Sequence, residues 1–307
     1  MRRRDFIAGG LLAGLTAGAA RAAEVVVTDV REQGLVGKFY ALPGARRRTA
    51  VMMVGGSDGG LPSSTACRSL AEAGHPVLAL AYFRGFNPGL PQSLPAQLKD
   101  IPLEYFFTAI DWLKARPEVN PRKVVLMGHS RGGELVLQLA SMRRDVAGVI
   151  AFTPSHLRWG AVGGEGDSWT WRGKPLPYAR DKWEQGKSFV QAFNEVLDAP
   201  RETWAAAAIE VEKIRGKVLL FSTTADGVWP STRLSELAME RMREKGKRGA
   251  RDHVRYDDAS HMLMGPGPGM IRFQAAQFTI EFGGSEDGTL KARNDAWAKS
   301  LEFLKRI

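Results

Sequence analysis

The 307-residue chain is 44% hydrophobic and 25% charged, carries a formal charge of +10 and has one cysteine. That composition excludes a disordered, collagen-like or disulfide-stapled chain. Cys67 cannot form an internal disulfide and no C-x-x-C pair is present to hold zinc; the basic residues beyond the first 22 are scattered (Arg46 to Arg48, Arg143-Arg144, Arg241 to Arg251) rather than gathered into a face for nucleic acid.

Residues 1–22 read as an address rather than as part of the fold. A basic start (Met1-Arg2-Arg3-Arg4), a short Gly/Ala/Leu run and the A-x-A triplet Ala20-Arg21-Ala22 describe a cleavable export signal. Arg3-Arg4-Asp5-Phe6-Ile7, with weak hydrophobicity behind it, is a twin-arginine pattern. The expected partner of the precursor is therefore the twin-arginine export machinery, and the expected location is periplasmic or secreted. The apolar stretch from Phe6 to Ala20 falls short of the roughly 20 residues a spanning helix needs, so no stable membrane span is expected. This stretch holds four arginines and one aspartate, which leaves +7 for residues 23–307, expected to form one domain.

From residue 23 onward, strands and helices alternate. Glu24–Val30 and Gly34–Leu42 read as two antiparallel strands joined through Gln33-Gly34. Ala50–Val54 is a continuous apolar run, the mark of a strand buried on both faces. It ends in Gly55-Gly56-Ser57-Asp58-Gly59-Gly60, where the backbone must bend sharply or approach a ligand. A helix over Ser64–Ala73, a strand over Pro76–Tyr82 and a helix over about Asp100–Ala115 follow, then a strand at Lys123–Met127, a helix at Arg131–Ser141 and a strand at Val146–Phe152. The stretch from about 155 to 203 breaks the rhythm. It is rich in Gly, Pro and Trp, with helical spacing over Arg180–Leu197, and reads as an inserted cap. Alternation resumes with strands at Lys217–Thr223 and Asp252–Tyr256 around a helix at Ser231–Lys245, then helices at Gly269–Phe278 and Thr289–Lys305. Repeated strand–helix units predict an α/β fold, a mostly parallel central sheet with helices on both faces.

The sharpest chemical signal is Gly128-His129-Ser130-Arg131-Gly132. A buried strand runs straight into this G-x-S-x-G and a helix leaves it at once, the context a nucleophile elbow requires. The glycines give room for a tight, strained turn, and the serine Oγ then stands above the sheet at a helix N-terminus. A serine hydroxyl needs a base held in the right tautomer, and in this architecture the order along the chain is Ser, acid, His. Asp226 lies on the loop after the Lys217–Thr223 strand and His261 on the loop after the last strand, 96 and then 35 residues further on. The other histidines fit less well. His75 lies in a helix-to-strand turn and is expected to face solvent; His129 is expected to point away from its neighbour Ser130; His253 falls on the outer side of a strand; and His156 opens the cap, where it could line a pocket. Asp257 and Asp258 precede His261 too closely to reach behind its ring and read as a turn.

An oxyanion needs two donors. The backbone N–H of Arg131, the residue after the nucleophile, is one; the other is expected from the Gly-rich loop, with Ser57 first and Gly56 next. Gly55–Gly60 matches neither a Walker-type nor a dinucleotide-binding glycine pattern, and no histidine pair stands at metal-ligand spacing, so no cofactor and no metal are implied.

From about Val30 to the C-terminus the chain resembles the catalytic domain of the acyl-CoA thioesterase and bile acid-CoA:amino acid N-acyltransferase family, α/β-hydrolases related to dienelactone hydrolases. The resemblance rests on Gly55–Leu61, Gly74–Tyr82, Leu103–Phe106, Gly128–Gly132, Ile209–Phe221 with Asp226 and Trp229, and Gly283-Gly284 with Asp295-Ala296-Trp297. It implies an α/β-hydrolase fold with nucleophile Ser130, acid Asp226 and base His261. Three departures shape what carries over. The amino-acid-conjugating members resemble a cysteine-nucleophile version, whereas Ser130 favours hydrolysis. Family members carry an N-terminal β-sandwich domain that residues 23–49 do not supply. Acyl-CoA is a cytosolic or organellar substrate, whereas the signal sends this chain outward.

The expected activity is hydrolysis of a small-molecule acyl ester or thioester through an acyl-serine intermediate. Alternatives on the same residues are an amidase, a peptidase or an acyltransferase, and the alternative without chemistry is a hydrolase-fold binding protein. The cap tryptophans, Trp159, Trp169, Trp171 and Trp183, either cover an apolar acyl group or pack the cap onto the body.

Overall fold

The computed structural model describes residues 23–162, 165–181, 183–246, 250–274 and 279–307; the expected export signal lies outside them. An eight-stranded sheet organises the described residues. Its strands are β1 (Val26–Val30), β2 (Val36–Ala41), β3 (Arg48–Val54), β4 (Val77–Ala81), β5 (Val119–His129), β6 (Gly148–Phe152), β7 (Lys217–Thr223) and β8 (Arg251–Tyr256). In space they run β1-β2-β4-β3-β5-β6-β7-β8. The β1–β2 and β2–β4 pairs are antiparallel; every pairing from β4 across to β8 is parallel.

Alternation along the strands divides the core into two layers. Ala50, Met52 and Val54 of β3 and Val124 and Leu126 of β5 pack with helices α2 (Leu103–Lys114), α3 (Arg131–Met142) and, through Ala238 and Met242, α5 (Ser231–Glu244). Val51, Met53, Val125 and Met127 point the other way, against α1 (Ser64–Glu72) and the C-terminal helix α6 (Glu286–Lys305). Because both faces are covered, Ala50–Val54 and Val124–Met127 are wholly buried, which is why these strands read as unbroken apolar runs.

The chain reverses its direction of travel across the sheet between β3 and β5. From β3 it moves outward to β4; from β4 it crosses back over β3 to β5. The crevice outside the carboxyl ends of strands at such a switch point is where parallel sheets hold ligands. Here those ends carry Gly55–Gly60 and Ser130.

Two expected elements differ. Arg272–Gln274 and Thr279–Glu281 form an antiparallel pair, not a helix over Gly269–Phe278. The glycines before it, Gly265 (φ +81°) and Gly267 (φ +153°), hold the backbone outside the helical region, and Gly269 packs its backbone against Glu286, whose carbonyl oxygen would lie 1.9 Å from a Cβ there. Among the described residues between β6 and β7 only Phe189–Asp198 (α4) is α-helical, a shorter span than Arg180–Leu197. Ser188 caps it, accepting from the N–H of Gln191. The same segment holds a small hairpin, Trp169–Trp171 with Lys174–Pro175, whose first strand pairs with Ile101–Pro102 at the start of α2.

Candidate active site

Ser130 sits between β5 and α3 with φ 55° and ψ −123°, a backbone conformation that side-chain-bearing residues avoid. Its neighbours hold it there. Ser130 N–H donates to Phe152 O at 2.9 Å, tying the turn to β6. A Cβ on Gly128 would stand 2.2 Å from Gly132 O, and one on Gly132 would stand 2.2 Å from Gly55 O. Both glycines of G-x-S-x-G are thus required by backbone approaching backbone, and the second closes the elbow against the Gly-rich loop.

That loop is oriented from below. The buried Tyr82 hydroxyl lies 3.1 Å from Gly55 O and 3.3 Å from Gly56 O. In a trans peptide the carbonyl and the following N–H point in opposite directions. With both carbonyls turned to Tyr82, the N–H groups of Gly56 and Ser57 face away from it. A Cβ on Gly56 would lie 3.3 Å from Ser130 Cβ and 3.4 Å from His129 Nε2, so the loop runs directly over the elbow. The N–H groups of Ser57 and Arg131 have no hydrogen-bond partner among the described residues.

Asp226 and His261 meet as the sequence order requires. Both carboxylate oxygens lie 2.9 Å from His261 Nδ1. A carboxylate accepts only, so Nδ1 carries the proton and Nε2 presents a bare lone pair. That Nε2 is buried without a hydrogen-bond partner, and no hydrogen bond joins it to Ser130 Oγ. The N–H groups of Val228 (2.9 Å) and Trp229 (3.1 Å) donate to Asp226 Oδ1 and fix the carboxylate. The Trp229 ring stands edge-on to His261 at 5.7 Å, and its indole N–H donates to Thr153 O. One carbonyl serves both loops: Phe282 O accepts from Gly227 N–H (2.9 Å) and His261 N–H (2.8 Å).

The remaining histidines are all accounted for. His129 does not point away from the site. Its ring lies 5.1 Å from that of His261, and Nδ1 is 3.4 Å from Thr153 Oγ1. Thr153 spends its hydroxyl proton on His261 O (3.0 Å), so the hydroxyl accepts from His129. Burial first, then the neighbouring His261, holds His129 well below the ordinary imidazole range, so it stays neutral. His75 is buried rather than solvent-facing, bonded to Thr49 O at 3.0 Å. His253 bonds Ser222 Oγ at 2.7 Å. His156 is packed beside Trp204, both nitrogens unpartnered, and its charged neighbours are Arg241, Arg201, Arg158 and Glu212. Asp258 accepts from Ser285 at the start of α6, and neither it nor Asp257 bonds His261.

The segment after β6 is plugged into the first turn of α3. The Arg131 guanidinium pairs with Glu134 (3.1 Å) and donates to Trp159 O (2.8 Å), Gly160 O (3.1 Å) and Ser168 Oγ (2.6 Å). Glu134 is fully buried and accepts from the Trp169 indole at 2.6 Å; burial raises its carboxyl despite the adjacent Arg131. Trp159 and Trp169 therefore pack the segment onto the body. Trp171 lies against Phe107, and Trp183 stands half exposed beside Phe189. From α4, Phe193 reaches Trp159 (4.6 Å) and Trp229 (5.7 Å), linking the segment to the His261 side.

Among the described residues no group of three His, Cys, Asp or Glu side chains is placed to hold a metal, and no helix is long and apolar enough to cross a membrane.

A parallel sheet with a serine on a strained strand–turn–helix elbow, followed in chain order by an acid and a histidine, defines the α/β-hydrolase fold. The chain belongs to the BAAT / acyl-CoA thioester hydrolase C-terminal family, which matches residues 101–307; the dienelactone hydrolase family matches residues 38–161. It is similar to human acyl-coenzyme A thioesterase 1, 27% identical over 258 residues that cover 82% of this chain and 58% of that protein. The chain thus spans little more than half the length of this curated relative. Among solved structures, a Klebsiella pneumoniae protein assigned to the dienelactone hydrolases superposes with a TM-score of 0.57 at 14% identity, covering 94% of this chain and 100% of the other. A thermophilic esterase from Thermogutta terrifontis, solved with butyrate bound, gives 0.52 at 19% identity, covering 93% and 94%.

Proposed function

We propose that the protein is an exported serine hydrolase that cleaves acyl esters or thioesters through an acyl-serine at Ser130. The observation that carries this reading is the Asp226–His261 pair: a carboxylate fixing Nδ1–H of a buried imidazole whose Nε2 is left bare, in the fold whose strained elbow presents Ser130. In the reaction His261 Nε2 takes the Ser130 proton as Oγ attacks the acyl carbon. Asp226 stabilises the imidazolium, and the N–H groups of Arg131 and Ser57 receive the oxyanion. His261 then gives its proton to the leaving oxygen or sulfur, and water repeats the sequence to free the acid.

The family membership and the names of the relatives support an acyl ester or thioester over an amide. The sequence of residues 1–22 supports a location outside the cytoplasm, reached through the twin-arginine machinery, where an acyl ester is the more available substrate than a CoA thioester. The test is kcat/KM on p-nitrophenyl esters and matched thioesters of increasing acyl length, with Ser130→Ala beside the wild type. Turnover should vanish in Ser130→Ala, and a fluorophosphonate should label Ser130 in the wild type. Undiminished activity in Ser130→Ala would remove the nucleophile assignment.

A further inference from the structure

Helix α6 turns one face to the sheet, and the buried positions on it are Thr289, Ala292, Arg293, Ala296, Trp297, Ser300, Phe303 and Leu304. Arg293 is the anomaly in that stripe. Its side chain reaches the loop that begins immediately after His261. Nη1 donates to Met262 O (3.0 Å), Nε to Gly265 O (3.0 Å), and Nη2 to Met264 O (3.2 Å) and Pro266 O (3.3 Å). Among the described residues no carboxylate lies within ion-pair distance of it. The loop fits the guanidinium closely, since a Cβ on Gly267 would stand 2.8 Å from Nη2.

A buried cation without an acid partner is a poor device for stability alone, because an apolar side chain in such a stripe avoids the cost of desolvating the charge. What the planar fork of donors does well is gather several carbonyls in one fixed geometry. Here four carbonyls from a five-residue stretch turn inward onto one group. The stretch adjoins His261, whose backbone is otherwise held by Phe282 O at its N–H and by Thr153 Oγ1 and the Leu263 N–H at its carbonyl.

We propose that Arg293 is a positioning residue for His261: by drawing the carbonyls of Met262, Met264, Gly265 and Pro266 onto one guanidinium, it sets where the imidazole stands between Asp226 and Ser130. This rests on the reading of His261 as the base. The arginine touches no reacting atom, and its effect passes through the backbone of the loop. Misplacing a reacting group by about 1 Å costs up to about 100-fold in rate without weakening substrate binding in proportion.

The test compares wild type, Arg293→Lys and Arg293→Met on p-nitrophenyl butyrate, each assayed well below its own melting temperature. Arg293→Met should lose about 10- to 100-fold in kcat with KM within about two-fold. Arg293→Lys, which keeps a cation but only a compact donor head, should fall between. The low-field proton resonance of His261 Nδ1–H should broaden or shift in Arg293→Met and stay near its wild-type position in Arg293→Lys. If Arg293→Met does not fold, Arg293→Lys carries the test through the same split of kcat from KM. A folded variant with lowered melting temperature but wild-type kcat and an unmoved resonance would overturn the proposal and leave Arg293 a stabilising residue. Ser130→Ala, run alongside, separates the two readings: if it retains turnover, the nucleophile assignment fails first.

Discussion

Replacing Tyr82 by Phe removes one oxygen from beneath the Gly-rich loop and little else. The ring keeps its contacts with Phe83 (5.0 Å) and Phe106 (5.2 Å), so packing is preserved. The hydroxyl, however, is the group within bonding distance of both Gly55 O and Gly56 O, and Tyr82 is 1% exposed, so water does not replace it freely. Leaving buried carbonyls without that donor costs about 1–3 kcal/mol, which corresponds to a fall in melting temperature of roughly 2–10 °C. The catalytic effect is separate. The peptide whose carbonyl is Gly56 O also carries the Ser57 N–H, so the hydroxyl aims that donor; loss of an oxyanion donor outright costs about 100- to 1,000-fold in kcat. A donor loosened rather than deleted should cost about 10-fold, seen in kcat for a p-nitrophenyl ester with KM little changed. Thermal melting and steady-state kinetics on the same preparation measure both. A variant that melts lower but turns over within about two-fold of wild type would show that Tyr82 supports the fold without setting the oxyanion loop.

Asp226→Asn should preserve the fold yet reduce kcat by about 10,000-fold, because the amide no longer enforces the Nδ1–H tautomer of His261; stopped assays on a p-nitrophenyl ester would detect it, and a loss under ten-fold would argue against the pairing. Glu134→Leu leaves the Arg131 guanidinium buried without its counter-charge and should destabilise the protein by about 3–5 kcal/mol in urea unfolding. His156 is held neutral by burial, which lowers it to about 3 in the folded protein. Between pH 6.5 and about 3 the unfolded chain binds a proton there that the folded chain does not. Its contribution to stability is therefore whole above that window and is lost as pH falls, by up to roughly 1.4 kcal/mol per pH unit. His156→Leu should flatten the acid side of the stability profile measured by urea midpoints, and an unchanged slope would contradict the burial argument.

Much of this architecture is legible in the sequence because burial on both faces leaves no room for polar residues. Ala50–Val54 and Val124–Met127 announce central strands by being apolar without alternation. Gly128 and Gly132, and with them the serine they frame, are legible for a sharper reason: a Cβ at either glycine would stand 2.2 Å from a backbone oxygen. Asp226 and His261 follow from chain order and strand ends. What periodicity does not carry is who meets whom across the fold. His129 reads as turned away from the site, but Thr153, supplied by the loop after β6, draws its ring beside His261. Arg272–Gln274 pairs as a strand because glycines ahead of it and its partner Thr279–Glu281 decide the matter, neither visible in a helical window. Arg293 left a usable trace, a cation at helical spacing among Ala292, Ala296 and Trp297, but its four acceptors lie 27 to 31 residues upstream.

The carbonyl of Phe282 gives the site a place in time as well as in space. Asp226 and His261 are both synthesised, and all eight strands are complete, before residue 282 leaves the ribosome. Yet the acid's loop and the base's loop are joined through that later peptide, and the loop after His261 closes only on a side chain from the final helix. The strands of the sheet, the acid and the base thus all precede in the chain the residues that tie the two loops together from outside, so the order of the sequence separates building the scaffold from fixing the site upon it.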